Sequence, residues 1–227
     1  MFSRIFLVLL SITAISLPAV AARRVAHKLC TSPNYECIKV KKGDSWQKLW
    51  PDPRVRRIVM RLNRMNTNLV RGMRIVVPVS LNNITHMDIS PMPYSVHPYG
   101  QRVVVVNMSE QAFGAYDSNG YLVHWGPISG GKGFCHDIQK RCNTPRGSYR
   151  VFRKGTEMCE SKKFPVPDGG APMPYCMYFK GGFAMHAGDL PGYHASHGCV
   201  RMFYEDAEWL NKHFLNKGKG GTKVIVQ

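Results

Sequence analysis

The fold is decided by the stretch Met185-His186-Ala187-Gly188-Asp189-Leu190-Pro191-Gly192-Tyr193-His194-Ala195-Ser196-His197-Gly198-Cys199-Val200-Arg201-Met202. It begins at the end of an apolar run that predicts a strand, and residues 204–212 after it predict a helix with acidic residues early, as the helix dipole prefers. We therefore expect a loop held on a rigid β scaffold, where catalytic residues tend to lie. Three histidines, a serine and one cysteine lie within these 18 residues. A thiol becomes a useful nucleophile when an imidazole can take its proton.

Short strands separated by glycine and proline turns surround this stretch. Residues 101–107 are a strong β run, and Ala112–Tyr116 and residues 121–125 predict a hairpin about the turn at 117–120. A loop is predicted at 127–131, and further strands at 147–152, 177–179, 182–186 and 222–226. The pattern predicts a mainly β domain, a sandwich or barrel with one or two short helices, over residues 99–227.

Residues 35–79 form a smaller unit with a different pattern. They predict a strand at 38–42, a turn at Gly43-Asp44-Ser45 that offers a helix N-cap, helices at 46–50 and 54–63, and a closing strand at 74–78. This order predicts a small α/β module of the βααβ type. Residues 80–98 contain several prolines and no clean periodicity, so we expect a linker, although 84–89 could pair with a sheet.

The first 22 residues have the pattern of a secretory signal peptide. Arg4 precedes an apolar run at 5–17 and a small-residue site at Ala19-Val20-Ala21. The run is short for a span of about 20 residues, so we expect cleavage rather than an uncleaved anchor, and no membrane span afterwards. The mature chain would then be a protein of the periplasm or cell envelope, where disulfides can form.

The chain is strongly basic, with a formal net charge of +17. Such an excess favours a polyanionic partner: nucleic acid, an acidic membrane face or an anionic polymer. The solubility of a basic protein is the alternative explanation, and charge alone does not exclude it. No Lys/Arg-rich run is interleaved with aromatic residues, so we expect no nucleic-acid partner.

Seven cysteines are present, an odd count that flags an unpaired thiol in an oxidising compartment. Six cysteines allow 15 connectivities, and our preferred pairing joins sequence neighbours: Cys30–Cys37, Cys135–Cys142 and Cys159–Cys176. Cys199 is then the free thiol. The alternative is that Cys199 is paired and another cysteine is free.

Two residues, Gly198 and His186, indicate that the Cys199 thiol is a nucleophile. Gly198 allows a tight turn that brings amide N–H groups close to a reacting carbonyl, as an oxyanion hole requires. His186 can take the thiol proton and return a proton to a leaving amine. A zinc site is the alternative, because His186, His194, His197 and Cys199 include enough ligand types. Their spacing fits no common zinc pattern, so we expect no metal and no cofactor, and we expect His194 and His124 to be packed or surface residues.

The run Ser196-His197-Gly198-Cys199-Val200-Arg201, with His186 upstream after an apolar strand, resembles the signature of the YkuD family of L,D-transpeptidases. Thr144-Pro145-Arg146-Gly147-Ser148-Tyr149 also resembles a strand start of that family. The resemblance covers residues 99–227 and implies the β-sandwich or barrel-like YkuD fold. A LysM module ahead of such a domain is a familiar pairing.

The resemblance implies a cell-wall chemistry. Cys199 would attack the carbonyl between meso-diaminopimelate and the terminal D-alanine of a peptidoglycan tetrapeptide stem, and His186 would protonate the departing D-alanine. An amine of a second stem would take the acyl group in a 3→3 cross-link; a lipoprotein lysine or a free D-amino acid are other acceptors. The amides of Gly198 and Cys199 would form the oxyanion hole. Acylation of Cys199 by carbapenems is expected by the same analogy.

The same resemblance assigns supporting roles. Arg201 would bind a substrate carboxylate through its planar fork, with an internal ion pair as the alternative. Ser196 and His197 would shape the loop, and Tyr178 would line the cleft. Ala187 stands where relatives often carry glycine or serine, so a backbone carbonyl must orient the His186 imidazole. The four cysteines of segment 135–176 suggest a disulfide-clamped insertion near the cleft.

Residues 35–79 resemble a LysM domain, which binds the N-acetylglucosamine-containing glycan of peptidoglycan or chitin. The matching residues are Val40-Lys41-Lys42-Gly43-Asp44-Ser45, Leu62-Asn63 and Gly72-Met73-Arg74-Ile75-Val76-Val77-Pro78. Pro51-Asp52-Pro53 and the basic character of the module depart from the family, and a packing domain without ligand is the alternative. For the whole chain we expect a transpeptidase; the alternatives are a peptidoglycan-binding envelope protein without that activity, and an L,D-carboxypeptidase or amidase that uses water.

Overall fold

The computed structural model describes residues 28–164 and 169–227. The predicted signal peptide, residues 1–22, lies outside these ranges. Within them, no helix combines the length and the apolar character that a bilayer crossing requires.

The N-terminal module has the predicted order of elements: β1 (Tyr35–Lys39), α1 (Trp46–Leu49), α2 (Pro53–Leu62) and β2 (Arg74–Pro78). The two strands pair antiparallel. The Ser45 side chain caps α1, as expected from the turn, and Asp52 caps α2 ahead of Pro53, where a proline sacrifices no helical hydrogen bond. The βααβ order is confirmed, and the LysM identification stays a prediction.

The rest of the described chain is built mainly of strands. They are β3 (Val103–Asn107), β4 (Ala112–Tyr116), β5 (Leu122–Ser129), β6 (Phe134–Cys135), β7 (Lys140–Arg141), β8 (Gly147–Arg150), β9 (Arg153–Lys154), β10 (Met177–Lys180), β11 (Phe183–Ala187), β12 (Val200–Met202) and β13 (Lys223–Val226). Helix α3 (Tyr204–Trp209) continues as a π-helical turn, Leu210–Phe214. Nine strands form one sheet in the order β8-β13-β3-β4-β5-β12-β11-β10-β9, while β6 and β7 pair separately.

The two edge strands of this sheet are neighbours in the chain, because only Val151 and Phe152 separate β8 from β9. The Val151 N–H donates to the carbonyl of Thr222 next to β13, and the Phe152 N–H donates to that of Tyr178 in β10, both at 3.0 Å. A sheet whose opposite edges are so close in the chain has to curl. The predicted mainly β, barrel-like domain is thus confirmed as a curled half-barrel.

Strand β3 shows how the module and the sheet share a core. Val104 and Val106 pack in the inner cluster with residues such as Leu210, whereas Val103 and Val105 pack in an outer cluster with Ile58 and Leu62 of α2. Successive side chains of a strand point to opposite faces. A strand that is buried on both faces is therefore a continuous apolar run in the sequence. The module covers the outer face of β3.

Residues 80–98 connect the module to the sheet and are packed against both. They contain a short 3-10 turn at Met87–Ile89 rather than a strand at 84–89. The Leu122 N–H donates to the carbonyl of Tyr94 at 2.9 Å, and Ile89 is buried in the outer cluster. The division of the chain into residues 35–79, 80–98 and 99–227 stays a prediction.

The strands that the sequence did not predict are the shortest ones, β6, β7, β9 and β12. Two or three residues are too few for a periodicity to be recognised. The loop predicted at 127–131 is wrong in its first half, because β5 continues to Ser129. It does so because Ile128 and Ser129 pair with Met202 and Arg201 of β12.

Candidate active site

A cleft of about 960 Å³ lies against β10, β11 and β12. Six of the seven predicted site residues line it: Tyr178, His186, Ser196, His197, Cys199 and Arg201. The seventh, Gly198, is buried beside it. The fold therefore brings together residues that are up to 23 positions apart in the chain.

The parallel pairing of β11 with β12 creates this juxtaposition. Met185 pairs with Val200 and His186 with Arg201. Because alternate residues of a strand share a face, His186 and Arg201 lie side by side, and Cys199 lies on the same face two positions before Arg201. Residues 188–199 form the crossover that a parallel pair requires. The predicted catalytic loop is this crossover.

Cys199 is a half-buried free thiol. The three disulfides join Cys30–Cys37, Cys135–Cys142 and Cys159–Cys176, as preferred from the sequence, and leave Cys199 unpaired. Its Sγ lies 3.8 Å from the carbonyl oxygen of Gly182. Burial raises the pKa of the Cys199 thiol, while a backbone hydrogen bond from Ala184 and the charge of Arg201 oppose that rise.

His186 is buried, and its ring is held by the backbone. Nδ1 lies 2.7 Å from the carbonyl oxygen of Ala187. A carbonyl only accepts, so Nδ1 carries the hydrogen and Nε2 keeps the basic lone pair. The prediction that a backbone carbonyl orients the imidazole is confirmed. Burial lowers the pKa of His186 to about 4, assisted by the charge of Arg201 and opposed by the bond to Ala187.

The two pKa shifts have opposite directions and one main cause. A medium of low dielectric constant disfavours the charged form of both groups. At neutral pH the resting pair is therefore a thiol and a neutral imidazole, and not a thiolate beside an imidazolium.

Side-chain hydroxyl groups clamp the backbone around the thiol. The Ser196 Oγ accepts from the Gly198 N–H at 3.0 Å and donates to the Cys199 carbonyl at 2.5 Å, and the Thr144 Oγ1 donates to the Gly198 carbonyl at 2.9 Å. Gly198 has φ +121°, and a Cβ there would lie 2.5 Å from the Phe183 ring. Only glycine tolerates both conditions.

This geometry corrects one expectation. Because the Gly198 N–H is donated to Ser196, it is not an unengaged oxyanion donor, and the Cys199 N–H is the donor that stays predicted. The role of Ser196 in shaping the loop agrees with its two bonds. The sequence analysis did not single out Thr144 as a site residue, although it begins the Thr-Pro run that resembles the family.

His197 contacts both disulfide-clamped loops. Its Nε2 lies 2.5 Å from Oδ2 of Asp137, in the loop closed by Cys135–Cys142. Its ring stacks on Phe164, in the loop closed by Cys159–Cys176, with centroids 4.4 Å apart. The disulfide-clamped segment lies beside the cleft, as expected, and its being an insertion stays a prediction. Sequence reasoning missed Asp137 and Phe164 because no spacing relates them to His197.

Arg201 and Tyr178 lie in the cleft as predicted. Across residues 28–164 and 169–227, no carboxylate lies within ion-pair distance of Arg201, so the alternative of an internal ion pair is not supported. The stem of Arg201 packs against Gly188, where a Cβ would be 3.3 Å from its Cγ. The ring of Tyr178 carries the Arg153 guanidinium 3.9 Å above its centroid.

The remaining histidines have separate partners. His194 accepts from the Gly130 N–H through Nδ1 at 3.0 Å, and its Nε2 lies 2.9 Å from the Met108 carbonyl. His124 binds Asp206 at 2.8 Å. Both are packed residues, as expected. The structure directs His186, His194 and His197 to three different partners rather than to one point.

Comparison with known proteins gives a family match. The model of the YkuD family, L,D-transpeptidase catalytic domain, matches residues 101–226, which is more than half of the chain. No curated protein matches.

Several solved structures are similar. An L,D-transpeptidase (residues 123-326) from Xylanimonas cellulosilytica DSM 15894 is 26% identical, with 60% of this chain and 65% of that chain covered and a TM-score of 0.48. An L,D-transpeptidase from Mycobacterium tuberculosis H37Rv is 25% identical over 56% and 57%, with a TM-score of 0.43. L,D-transpeptidase 3 from Mycobacterium tuberculosis in complex with a faropenem-derived adduct is 26% identical over 56% and 60%, with a TM-score of 0.43. The matches cover less than two thirds of each of these chains.

Proposed function

Because the chain belongs to the YkuD family of L,D-transpeptidase catalytic domains, we propose that it is a cysteine-dependent L,D-transpeptidase of peptidoglycan. One observation supports this most strongly. A free thiol, Cys199, and an imidazole whose Nε2 is left basic by the Ala187 carbonyl line the same cleft. A nucleophilic thiol and a base beside it are the two groups that acyl transfer through a thioester requires.

In the first half-reaction, Nε2 of His186 takes the thiol proton while Sγ of Cys199 attacks the carbonyl between meso-diaminopimelate and D-alanine. A C–S bond forms, and the charge moves to the carbonyl oxygen, which the Cys199 N–H stabilises. The C–N bond to D-alanine then breaks, and the imidazolium gives its proton to the leaving amine. The product is a thioester on Cys199 and free D-alanine.

In the second half-reaction, an amine of another stem attacks the thioester carbonyl. His186 takes a proton from the amine and returns it to the departing thiolate. The new amide bond is a 3→3 cross-link, and a lipoprotein lysine or a free D-amino acid would be joined by the same chemistry. Because burial favours the neutral resting pair, the nucleophile forms when substrate fills the cleft.

The supporting side chains take roles that follow from their contacts. Arg201, which pairs with no carboxylate of the described residues, binds a carboxylate of the stem. Tyr178 lines the wall, and Ser196 and His197 hold the loop. One relative is described in complex with a faropenem-derived adduct, and we propose that β-lactams of the penem and carbapenem classes acylate Cys199 of this chain.

The N-terminal module and residues 1–22 are the basis of two further proposals, on glycan binding and on export. A second groove of about 360 Å³ lies on the module between the turn at 44–47 and residues 66–69. Its polar side chains, which include Ser45, Gln47 and Asn68, suit a glycan. We propose that residues 35–79 bind peptidoglycan glycan and that the chain is exported to the periplasm by residues 1–22.

The test is incubation of the mature chain with a purified disaccharide-tetrapeptide, with and without a carbapenem, read by mass spectrometry. We expect release of D-alanine, a cross-linked dimer and a carbapenem adduct on Cys199, all lost in Cys199→Ala. Release of D-alanine that is unchanged in Cys199→Ala would show that the enzyme proposal is wrong. A tripeptide without dimer would identify an L,D-carboxypeptidase, and wall binding without D-alanine release would identify a binding protein.

A further inference from the structure

The charged side chains that line the cleft around Cys199 are mostly cations. Among the lining residues that the structure describes, six are lysine or arginine and one, Asp189, is acidic. The basic residues are Lys140, Arg141, Arg153, Lys162, Lys163 and Arg201. Such a concentration of one sign raises the local concentration of a substrate of opposite sign.

These cations come from four segments of the fold. Lys140 and Arg141 lie in the loop closed by Cys135–Cys142, and Lys162 and Lys163 lie in the loop closed by Cys159–Cys176, so that the two disulfides hold four charges at the rim. Arg153 of β9 and Arg201 of β12 line the same cleft as Cys199.

In the part of the chain that the structure describes, none of the six forms an ion pair with a carboxylate. Arg153 and Lys163 instead lie over the rings of Tyr178 and Phe164, at 3.9 Å and 5.9 Å from the centroids. Phe164 itself stacks on His197. The charges are thus held beside the catalytic loop and left available to a ligand.

We propose that this cleft selects stem peptides whose side carboxylates are free over stems in which they are amidated. The inference rests on the proposed function. A stem of D-glutamate, meso-diaminopimelate and D-alanine offers three carboxylates, and amidation removes one charge at each modified position. An anionic phosphate polymer would meet the same charges, but the position of the cations around Cys199 favours the peptide that is being cut.

The test compares three synthetic tetrapeptide stems: all carboxylates free, the D-glutamate α-carboxyl amidated, and the free carboxyl of diaminopimelate amidated. We expect kcat/KM for D-alanine release to be about fivefold lower for an amidated stem, since an exposed ion pair contributes up to about that factor. Raising the salt concentration should reduce kcat/KM more steeply for the free stem than for the two amidated stems, each of which keeps two carboxylates.

Two variants locate the effect. Lys162→Gln/Lys163→Gln should weaken the preference, because four of the six cations remain, and Lys217→Gln/Lys219→Gln, at exposed lysines outside the cleft, should retain it in full. Equal kcat/KM for all three stems would overturn the charge selection while leaving the enzyme proposal standing. Inhibition by a phosphate polymer with no discrimination among stems would also overturn it. If no stem releases D-alanine, the proposed function itself fails.

A different observation carries a second inference, about Asn66 of the module. Its Oδ1 accepts from the Leu190 N–H at 2.7 Å, its Nδ2 donates to the Gly188 carbonyl at 3.1 Å, and its own N–H donates to the Leu190 carbonyl at 3.0 Å. The neighbouring Met65 forms a β-bridge with Pro191. The module therefore holds the first residues of the crossover, 188–199, through three hydrogen bonds and a β-bridge.

The hydrogen bonds of Asn66 lie next to the backbone that positions His186 and Arg201. The Ala187 carbonyl orients His186. The N–H of the same peptide group, that of Gly188, donates to the Met202 carbonyl at 3.0 Å. The next carbonyl, that of Gly188, is the one that Asn66 holds. Gly188 also packs on the stem of Arg201. Restraining Gly188 thus restrains the imidazole and the guanidinium.

We infer that Asn66 is a positioning residue for the active site, so that the module is part of the catalytic unit. The inference rests on the proposed function. Asn66→Ala should lower kcat for D-alanine release about tenfold with a smaller change in KM, and should change the pH profile of Cys199 acylation by a carbapenem. Asn66→Asp, which keeps the acceptor for Leu190, should retain more of kcat.

Asn82→Ala is the matched control, because Asn82 is an exposed asparagine that lines neither the cleft nor the groove on the module. It should keep the wild-type kcat and pH profile. A folded Asn66→Ala with wild-type kcat and pH profile would overturn the positioning role, and so would equal losses in both variants. Loss of activity in every protein, wild type included, would count against the proposed function instead.

Discussion

Replacement of Arg61 by methionine tests the contact that holds the module on the sheet. Arg61, in α2, donates to Asp206, in α3, at 2.6 Å and 3.0 Å, and to the Trp125 carbonyl at 3.1 Å. The Arg61 side chain is 6% exposed and that of Asp206 is 0% exposed. Arg61→Met keeps much of the volume but leaves the Asp206 carboxylate buried without its cation.

The size of the effect follows from this burial. Removing one partner of a buried ion pair costs about 3–5 kcal/mol, whereas an exposed pair contributes about 0–1 kcal/mol. We therefore expect Arg61→Met to lower the free energy of unfolding by about 3–5 kcal/mol. The matched control is Arg57→Met, since Arg57 pairs with Glu205 while its side chain is 51% exposed, and we expect a loss below about 1 kcal/mol.

The assay is urea denaturation followed by tryptophan fluorescence and far-UV circular dichroism. Both probes should report a single transition, because the outer cluster joins residues of α2 with residues of β3. Arg61→Met/Asp206→Leu should recover much of the lost stability, since no unpaired charge is left. Equal losses in Arg57→Met and Arg61→Met, or a module that unfolds separately in the wild type, would refute the reasoning.

Three further predictions concern the site. Since burial depresses the pKa of His186 from 6.5 to about 4, its contribution to stability is present above pH 6.5 and is lost as pH falls toward 4. At about 1.36 kcal/mol per pKa unit the loss is about 3 kcal/mol, and urea titrations of His186→Gln should lack this part of the acid dependence. Gly198→Ala should slow carbapenem acylation of Cys199 at least tenfold, because its Cβ would meet the Phe183 ring. The control is Gly218→Ala, at φ +92° with nothing within 4 Å of the added Cβ, which should leave the acylation rate unchanged. Ser196→Ala removes two hydrogen bonds around the nucleophile, each contributing about 1 kcal/mol, and should slow the same acylation about tenfold; a wild-type rate would show that the clamp has no catalytic consequence.

The elements that the sequence predicted well are those with a strong local pattern. The βααβ order of the module follows from the N-cap at Ser45 and the helical spacing in residues 54–63, and the hairpin of β4 and β5 follows from its turn. The free thiol and the local disulfides also follow from spacing along the chain. Strand β12 was missed because three residues have no readable period, and it is the strand that sets Arg201 beside His186.

The site shows the same division. Cys199, His186, Ser196 and Arg201 were recognised because they lie in or near one distinctive run. Asn66, Asp137 and Phe164 were missed because they reach the site from segments that are remote in the chain. The oxyanion role of the Gly198 amide was expected from its place before the cysteine, and it was corrected by a hydrogen bond to Ser196 that adjacency alone does not reveal.

The sequence by itself determined the class of chemistry, a thiol and an imidazole on a loop of a mainly β domain, because these depend on residue types and local spacing. Only the tertiary structure decided the state and the surroundings of that pair. Burial is a property of the packed molecule, and it makes the resting pair neutral by raising the pKa of Cys199 and lowering that of His186. The basic rim and the grip of Asn66 likewise exist only where distant segments meet, since no local pattern records which side chains long-range packing will bring together.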